Sequence, residues 1–171
     1  MEINIQNLQV NQKSKLFFIL LCDNSILKIN IDNCIIPFGL ESYSNKNIIN
    51  IELLNSNNIH HNIISKIESL ESSISTHIYN SEINVKQNLS TKKFNKSIKE
   101  SKLGFILRTH PKTNIETYIL KKTSSKMFIE ISNIVNTTCN IELQLKGIWV
   151  NDTSYGLYWG LNYIQINKFN S

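Results

Sequence analysis

"KGIWVNDTSYGLYWGLNYIQI", residues 146–166, holds both tryptophans of the chain, three of its six tyrosines and three of its five glycines. Two apolar-rich runs flank the polar connection Asn151-Asp152-Thr153-Ser154, which is the pattern of a hairpin. Alternation assigns faces to each run. Over 141–149, Ile141, Leu143, Leu145, Gly147 and Trp149 share one side, and Glu142, Gln144, Lys146 and Ile148 share the other. Over 155–163, Tyr155, Leu157, Trp159, Leu161 and Tyr163 share a side opposite Gly156, Tyr158, Gly160 and Asn162. This pairing sends Trp149 and Trp159 toward a core with the leucines. Tyr158 projects the other way between two glycines, whose missing side chains would leave a flat open floor for a stacked ring such as a nucleic-acid base.

Upstream of the hairpin the signals are again those of strands. "LGFILRT", "NIETYILKK", "KMFIEIS" and "TTCNIELQLKGIWV" are strand-like with short polar connections, and Lys121 to Lys126 reads as a basic hairpin tip. Nearer the N-terminus, Ile3 to Val10 alternates, "KLFFILLCDNSILKINI" reads as two strands joined at Asp23-Asn24-Ser25, and Asn47 to Leu54 is a further short strand. Between them Pro37 and Gly39 bracket Phe38. Proline cannot donate a ladder bond and glycine permits a kink, so the element should end or bulge a strand. From about Asn58 the period changes to 3.6, with Ile63, Ile64, Ile67, Leu70, Ile74 and Ile78 forming a stripe. One amphipathic helix is expected over about 58–78, capped by Ser56, Asn57 or Asn58. Residues 80–102 lose both periods and carry six lysines around Phe94, the composition of a flexible basic loop. An arm of that kind could also track phosphates, with one aromatic for stacking. No internal repeat or linker divides the chain, so residues 1–171 are read as a single domain.

Composition narrows the function. Hydrophobic residues make up 41% and charged ones 18%, too apolar for disorder and too lightly charged for a coiled coil. Alanine is absent, Arg108 is the single arginine, and the Ile and Asn excess follows AT-rich codons. The formal net charge of +5 suits a polyanionic partner. Cys22, Cys34 and Cys139 are isolated in apolar runs and read as reduced core thiols of an intracellular protein. His60-His61 falls on a polar turn and reads as solvent-facing. The first fifteen residues lack a signal-peptide pattern and the longest apolar run, Leu16 to Leu21, is too short to span a bilayer. A soluble protein with no membrane partner is expected. Phosphate-cradling, nucleophile-elbow and zinc-protease motifs are all missing. Asp23, Asp32 and Asp152 sit in turns, while Glu52, Glu130 and Glu142 are expected on solvent faces of strands. No enzyme chemistry and no cofactor or metal is implied.

The "IIPFGLESY" element, the helix after "NIINIELL" and the closing hairpin together resemble the single-stranded DNA-binding proteins of large nucleocytoplasmic DNA viruses. That OB-fold family is remotely similar to single-stranded DNA-binding proteins of some tailed phages. The matching positions are Pro37, Phe38 and Gly39, then Gly147, Trp149, Gly156, Trp159 and Gln165. Such proteins often end in an acidic tail; this sequence ends "INKFNS", which puts recruitment of partners through that end in doubt. The resemblance implies a mainly β fold, an OB barrel of about five core strands elaborated by extra strands and the helix. It further implies sequence-independent binding of single-stranded DNA in viral-type replication, recombination or repair. RNA as a second ligand, replication proteins as partners and homo-oligomers are all compatible with it. The setting would be the host cytoplasm (a viral factory) or nucleus, or the virion itself. The rival reading is a non-enzymatic β-sandwich structural or interaction module, for example virion-associated. Phosphate contacts are expected from Lys46, Lys92, Lys93, Arg108, Lys121, Lys122, Lys126 and Lys146, and stacking from Phe38, Tyr43, Phe94 and Tyr158.

Overall fold

β-branched residues with a period of two dominate the chain outside one helix, and they form strands because a branched side chain packs well on a pleated surface. The computed structural model describes residues 8–14, 17–43, 45–81, 87–120 and 125–169. In chain order the strands are β1 (Leu8–Ser14), β2 (Phe17–Cys22), β3 (Leu27–Ile36), β4 (Leu40–Tyr43) and β5 (Lys46–Leu54). The helix α1 (Asn58–Tyr79) follows, then β6 (Lys93–Asn95), β7 (Ile98–Glu100), β8 (Gly104–Leu120), β9 (Lys126–Phe128), β10 (Thr137–Val150) and β11 (Ser154–Phe169).

The residues sort into two units, to both of which β10 and β11 contribute. One comprises Lys28–His61, Ile98–Gln144 and Trp159–Ser171. Its strands run in the order β10, β3, β5, β8, β11, and β11 pairs back onto β10, so five strands close into an OB-like barrel. Around a closed ring the antiparallel contacts must be even in number, so five strands require a parallel pair. That pair is β8 with β11, from Gly160↔His110 to Ile166↔Ile119. β5 and β8 pair antiparallel from Ile49↔Thr109 to Leu54↔Gly104. Ile31, Cys34, Ile36, Ile49, Ile51, Leu53, Leu107, Ile141, Leu143, Trp159 and Leu161 are buried. Cys34 and Cys139 are free thiols whose sulfurs lie 3.7 Å apart.

Two irregularities interrupt the alternation of buried and exposed residues. In β3 burial passes from Ile31 to Cys34, with Asp32 and Asn33 both exposed and Asn33 at φ 55, a conformation asparagine tolerates better than most residues. In β11 it passes from Leu161 to Ile164, where the register against β8 shifts. Pro37-Phe38-Gly39 ends β3 as expected, with Gly39 at φ +72.

The other unit comprises Met1–Leu27, Asn62–Ser97 and Leu145–Tyr158. Within it β2 pairs with β1 and, through Gly147↔Ile19 to Trp149↔Phe17, with β10. β6 runs parallel to β11, from Ser154↔Lys93 to Gly156↔Asn95. The apolar stripe of α1 is buried at Ile64, Ile67, Leu70, Ile74 and Ile78. Asn57 caps the helix, its side-chain oxygen accepting from the Ile59 amide at 2.9 Å. Glu71 is also buried. It accepts from the Ser97 amide at 2.7 Å, and burial pushes its carboxyl above the ordinary value of 4.5 in spite of that bond.

Several expectations change. Of the strand expected over Ile3 to Val10, residues 3–7 lie outside the described residues and β1 begins at Leu8. Residues 104–120, which hold most of "LGFILRT" and "NIETYILKK", are one strand, β8, held on both sides of Pro111 by β11, while Lys121 and Lys122 lie outside the described residues. Within 80–102, two three-residue strands form because β6 docks on β11 and β7 on β8; residues 82–86 are outside the described set. Glu52 is buried, accepting from the Ser101 hydroxyl at 2.8 Å. His60 is buried too. Its Nδ1 accepts from the Leu54 amide at 2.9 Å while Nε2 lies 2.9 Å from the Asp32 carbonyl, so it ties β5, β3 and the start of α1 together. His61 alone of the pair faces solvent. Trp149 is only half-buried, because the alternation of β10 slips where Gly147 and Ile148 are both buried.

Candidate nucleic-acid interface

In the barrel unit, the β4–β5 hairpin turns through Asn45 at φ 61, which sets Tyr43 opposite Lys46. One strand over, Asn50 of β5 is opposite Arg108 of β8. The Arg108 guanidinium lies 5.0 Å from the centre of the Tyr43 ring, and that ring is 60% exposed. A cation on a tyrosine face is an attractive arrangement of about 0.5–1 kcal/mol at an exposed site. It also aligns a donor-rich fork with a ring, so the pair can offer hydrogen bonds to a phosphate and a flat surface to a base. Glu41, which could oppose such an anion, accepts from the Asn50 amide at 2.6 Å. Beyond buried Thr109, half-buried His110 follows. Burial, with the charges of Lys46 and Arg108, lowers its pKa below the ordinary 6.5, against a hydrogen bond to the Asn47 main chain that raises it. Phe38 is 58% exposed on its turn.

A second cluster of the same unit lies on β8, β9 and β11. The rings of Tyr118 and Tyr163 are 6.3 Å apart and 20° from parallel, and the Lys126 ammonium is 4.5 Å from the Tyr118 centroid. Burial, followed by the neighbouring Tyr118, Glu142 and Asp32, raises the Tyr163 hydroxyl above 10.0. Lys121 and Lys122 lie outside the described residues, although β8 and β9 pair up to Leu120↔Lys126 as a hairpin should.

In the other unit the residues singled out from sequence are mostly packed. Tyr158 is half-buried and meets Phe17 edge-on, with centroids 5.4 Å apart at 88°; burial raises its hydroxyl above 10.0. The floor expected beside it at Gly156 is taken by Trp149: a Cβ on Gly156 would sit 2.9 Å from the indole Cζ2. Phe94 packs on Tyr155 at 5.3 Å. The Lys92 ammonium donates to the carbonyls of Asn151 and Asp152 at 2.6 and 3.0 Å, clipping the β10–β11 turn. Lys93 is exposed and Lys146 half-buried.

Tyr43, Lys46 and Arg108 are thus brought together by the β4–β5–β8 pairing. His110, Tyr118 and Tyr163 escaped the sequence reading. Alternation in "RTH" already sets Arg108 and His110 on one face across Thr109, a signal that could have found the histidine. Among the described residues no group of three or more His, Cys, Asp or Glu side chains gathers to hold a metal ion. No described helix is long and apolar enough to cross a membrane.

This closed ring, elaborated by a helix, has solved counterparts. The chain shares the fold of a phage single-stranded DNA-binding protein. Superposed on the single-stranded DNA-binding protein from bacteriophage Enc34 in complex with ssDNA, it gives a TM-score of 0.56 at 12% identity, covering 97% of this chain and 98% of that one. A second structure of the Enc34 protein gives 0.54 at 13%, covering 97% and 92%. Its C-terminal truncation gives 0.55 at 13%, covering 97% and 96%. By sequence, no protein-family profile and no curated protein matches. At such identities the likeness is one of fold.

Proposed function

We propose that this protein binds single-stranded DNA without sequence preference and without catalysis, through the face made by the β4–β5 hairpin and β8. The observation that carries the reading is the Arg108 guanidinium over the exposed Tyr43 ring, with Lys46 across the hairpin turn. Stacking on an aromatic tolerates every base, and a cation beside it neutralises the adjoining phosphate, so the pair supplies affinity without reading sequence. Phe38, Lys126 and Tyr163 extend the aromatic and basic surface of the same unit, and Lys93 and Lys146 are secondary candidates in the other. The fold shared with a DNA-bound phage protein over nearly the full length of both chains supports this reading over the β-sandwich rival. The Pro37-Phe38-Gly39 and closing-hairpin motifs support a place among the single-stranded DNA-binding proteins of large nucleocytoplasmic DNA viruses. Replication, recombination or repair in an infected cell would be its setting. A titration with single-stranded DNA, duplex DNA and RNA oligonucleotides at two salt concentrations tests it. Single strands should bind most tightly and lose affinity as salt rises. Equal affinity for duplex, or no binding, would overturn the proposal.

A further inference from the structure

Phe128 is a large apolar ring of the barrel unit that the core does not use: it is 68% exposed on β9, whose other two residues, Lys126 and Met127, are exposed as well. The strand is nonetheless held in place. It pairs with β8 from Tyr118↔Phe128 to Leu120↔Lys126, and the Ile129 amide donates to the Thr117 carbonyl at 3.0 Å. Register partners share a face, as do residues two apart on one strand, so Phe128, Lys126 and Tyr118 lie on one side of this hairpin. On β11 the partner of Tyr118 is Gln165, half-buried between buried Ile164 and Ile166. That side is therefore the outer one, where Arg108 also sits between buried Leu107 and Thr109. Tyr118 is buried there by its outer neighbours, the Tyr163 ring at 6.3 Å and the Lys126 ammonium at 4.5 Å. The result is an exposed ring beside a packed aromatic pair and a cation, the combination seen at Tyr43 and Arg108. Along β11 the partners of His110 and Tyr118 are Gly160 and Gln165, five residues apart. The two places are thus separated by about 17 Å of strand, at roughly 3.3 Å per residue.

We propose that Phe128 and Lys126 form a second base-stacking step, so that one DNA strand follows the outer side of β8 from Tyr43 and Arg108 to β9. The inference rests on the single-stranded DNA reading above and gives that site a footprint. Charge assigns the roles within the step. Glu116 and Glu130 are exposed and repel phosphate, while Glu142 is held by Lys28 at 3.4 Å and by the Asn162 amide at 2.6 Å. Lys126 is left to take the phosphate and Phe128 the base. An oligonucleotide that reaches both steps makes the second contact intramolecularly, at high effective concentration, whereas a shorter one fills a single step.

Anisotropy titrations with oligo-dT of about four and about sixteen nucleotides, the range one OB fold holds, test this. Wild-type affinity should rise steeply with length. Phe128→Thr keeps a residue suited to an exposed strand. It should melt as wild type does and bind the short oligonucleotide nearly as well, yet lose roughly 5-fold or more on the long one. Photocrosslinking of the wild-type protein to an oligonucleotide carrying iodouracil, mapped by mass spectrometry, should label Phe128 and requires no variant to fold. Unchanged long-oligonucleotide affinity in Phe128→Thr, or crosslinks confined to β4, β5 and the Arg108 end of β8, would overturn the second step and leave the Tyr43 site intact. A Phe128→Thr change that dissolves a self-association in sedimentation without altering DNA affinity would overturn it too, giving the ring to a second copy of the chain. Absence of oligo-dT binding at every length would instead overturn the function itself.

Discussion

Replacing Tyr43 by Ala should separate affinity from stability. Its ring is 60% exposed and its described contact is the Arg108 guanidinium at 5.0 Å, so the folded state loses little beyond one exposed cation–π pair, about 0.5–1 kcal/mol. For a chain of this length that is a melting shift of roughly 1–4 °C. A base stacked on the open face of the ring is worth about 1–3 kcal/mol, which converts to a loss of roughly 5- to 150-fold in affinity for oligo-dT. Tyr158→Ala should behave in the opposite way. That ring is half-buried against Phe17 at 5.4 Å, so truncation opens a gap costing about 2 kcal/mol and leaves DNA affinity close to wild type. Anisotropy titration and thermal unfolding of the two variants side by side read both quantities, and Tyr43→Phe should restore most of the affinity. Loss of binding at unchanged melting temperature in Tyr158→Ala, with Tyr43→Ala binding normally, would refute the assignment of the stacking face to β4, β5 and β8.

Arg108→Met should lower the slope of log K against log salt by about 0.7, one phosphate's share for single strands, and should weaken all sequences alike; an unchanged slope would remove Arg108 from the phosphate contacts. Gly156→Ala should destabilise the protein by about 1–3 kcal/mol, because an added Cβ would lie 2.9 Å from both the Trp149 ring and the Asn95 carbonyl oxygen, and denaturant unfolding measures the change. Glu71 has a raised carboxyl pKa, so the folded chain holds its proton more tightly than the unfolded one and stability should decline as pH rises from about the ordinary value of 4.5 through the higher folded value. Glu71→Gln should abolish that part of the decline, and the difference between the two proteins' urea midpoints across this pH range reports it.

Much of the architecture was legible because it is local. The 3.6 period of Ile64 to Ile78 fixes a buried helix stripe whatever the stripe packs against, and Asn57 caps the helix through amides two and three residues along. Pro37 and Gly39 end β3 by their own backbone constraints. The β-rich composition favours a strand-dominated domain, and the barrel is what the resemblance carried by the motif order implies. Tertiary pairing decided the rest. Alternation names the two faces of a strand but not its neighbour, and one extra residue, as at Asp32-Asn33, reverses the faces beyond it. Trp149 became the lid of Gly156 where β10 slips at Gly147-Ile148, and Tyr158, on the face that alternation gives it, finds Phe17 there. Lys92 is drawn to two carbonyls of a turn distant in sequence, and His60 is buried because β3 and β5 both present main-chain groups to it. Tyr43 meets Arg108 only because β5 lies between β4 and β8, a neighbour relation set by the hydrogen-bonded closure of the ring and by no feature of either residue's local sequence.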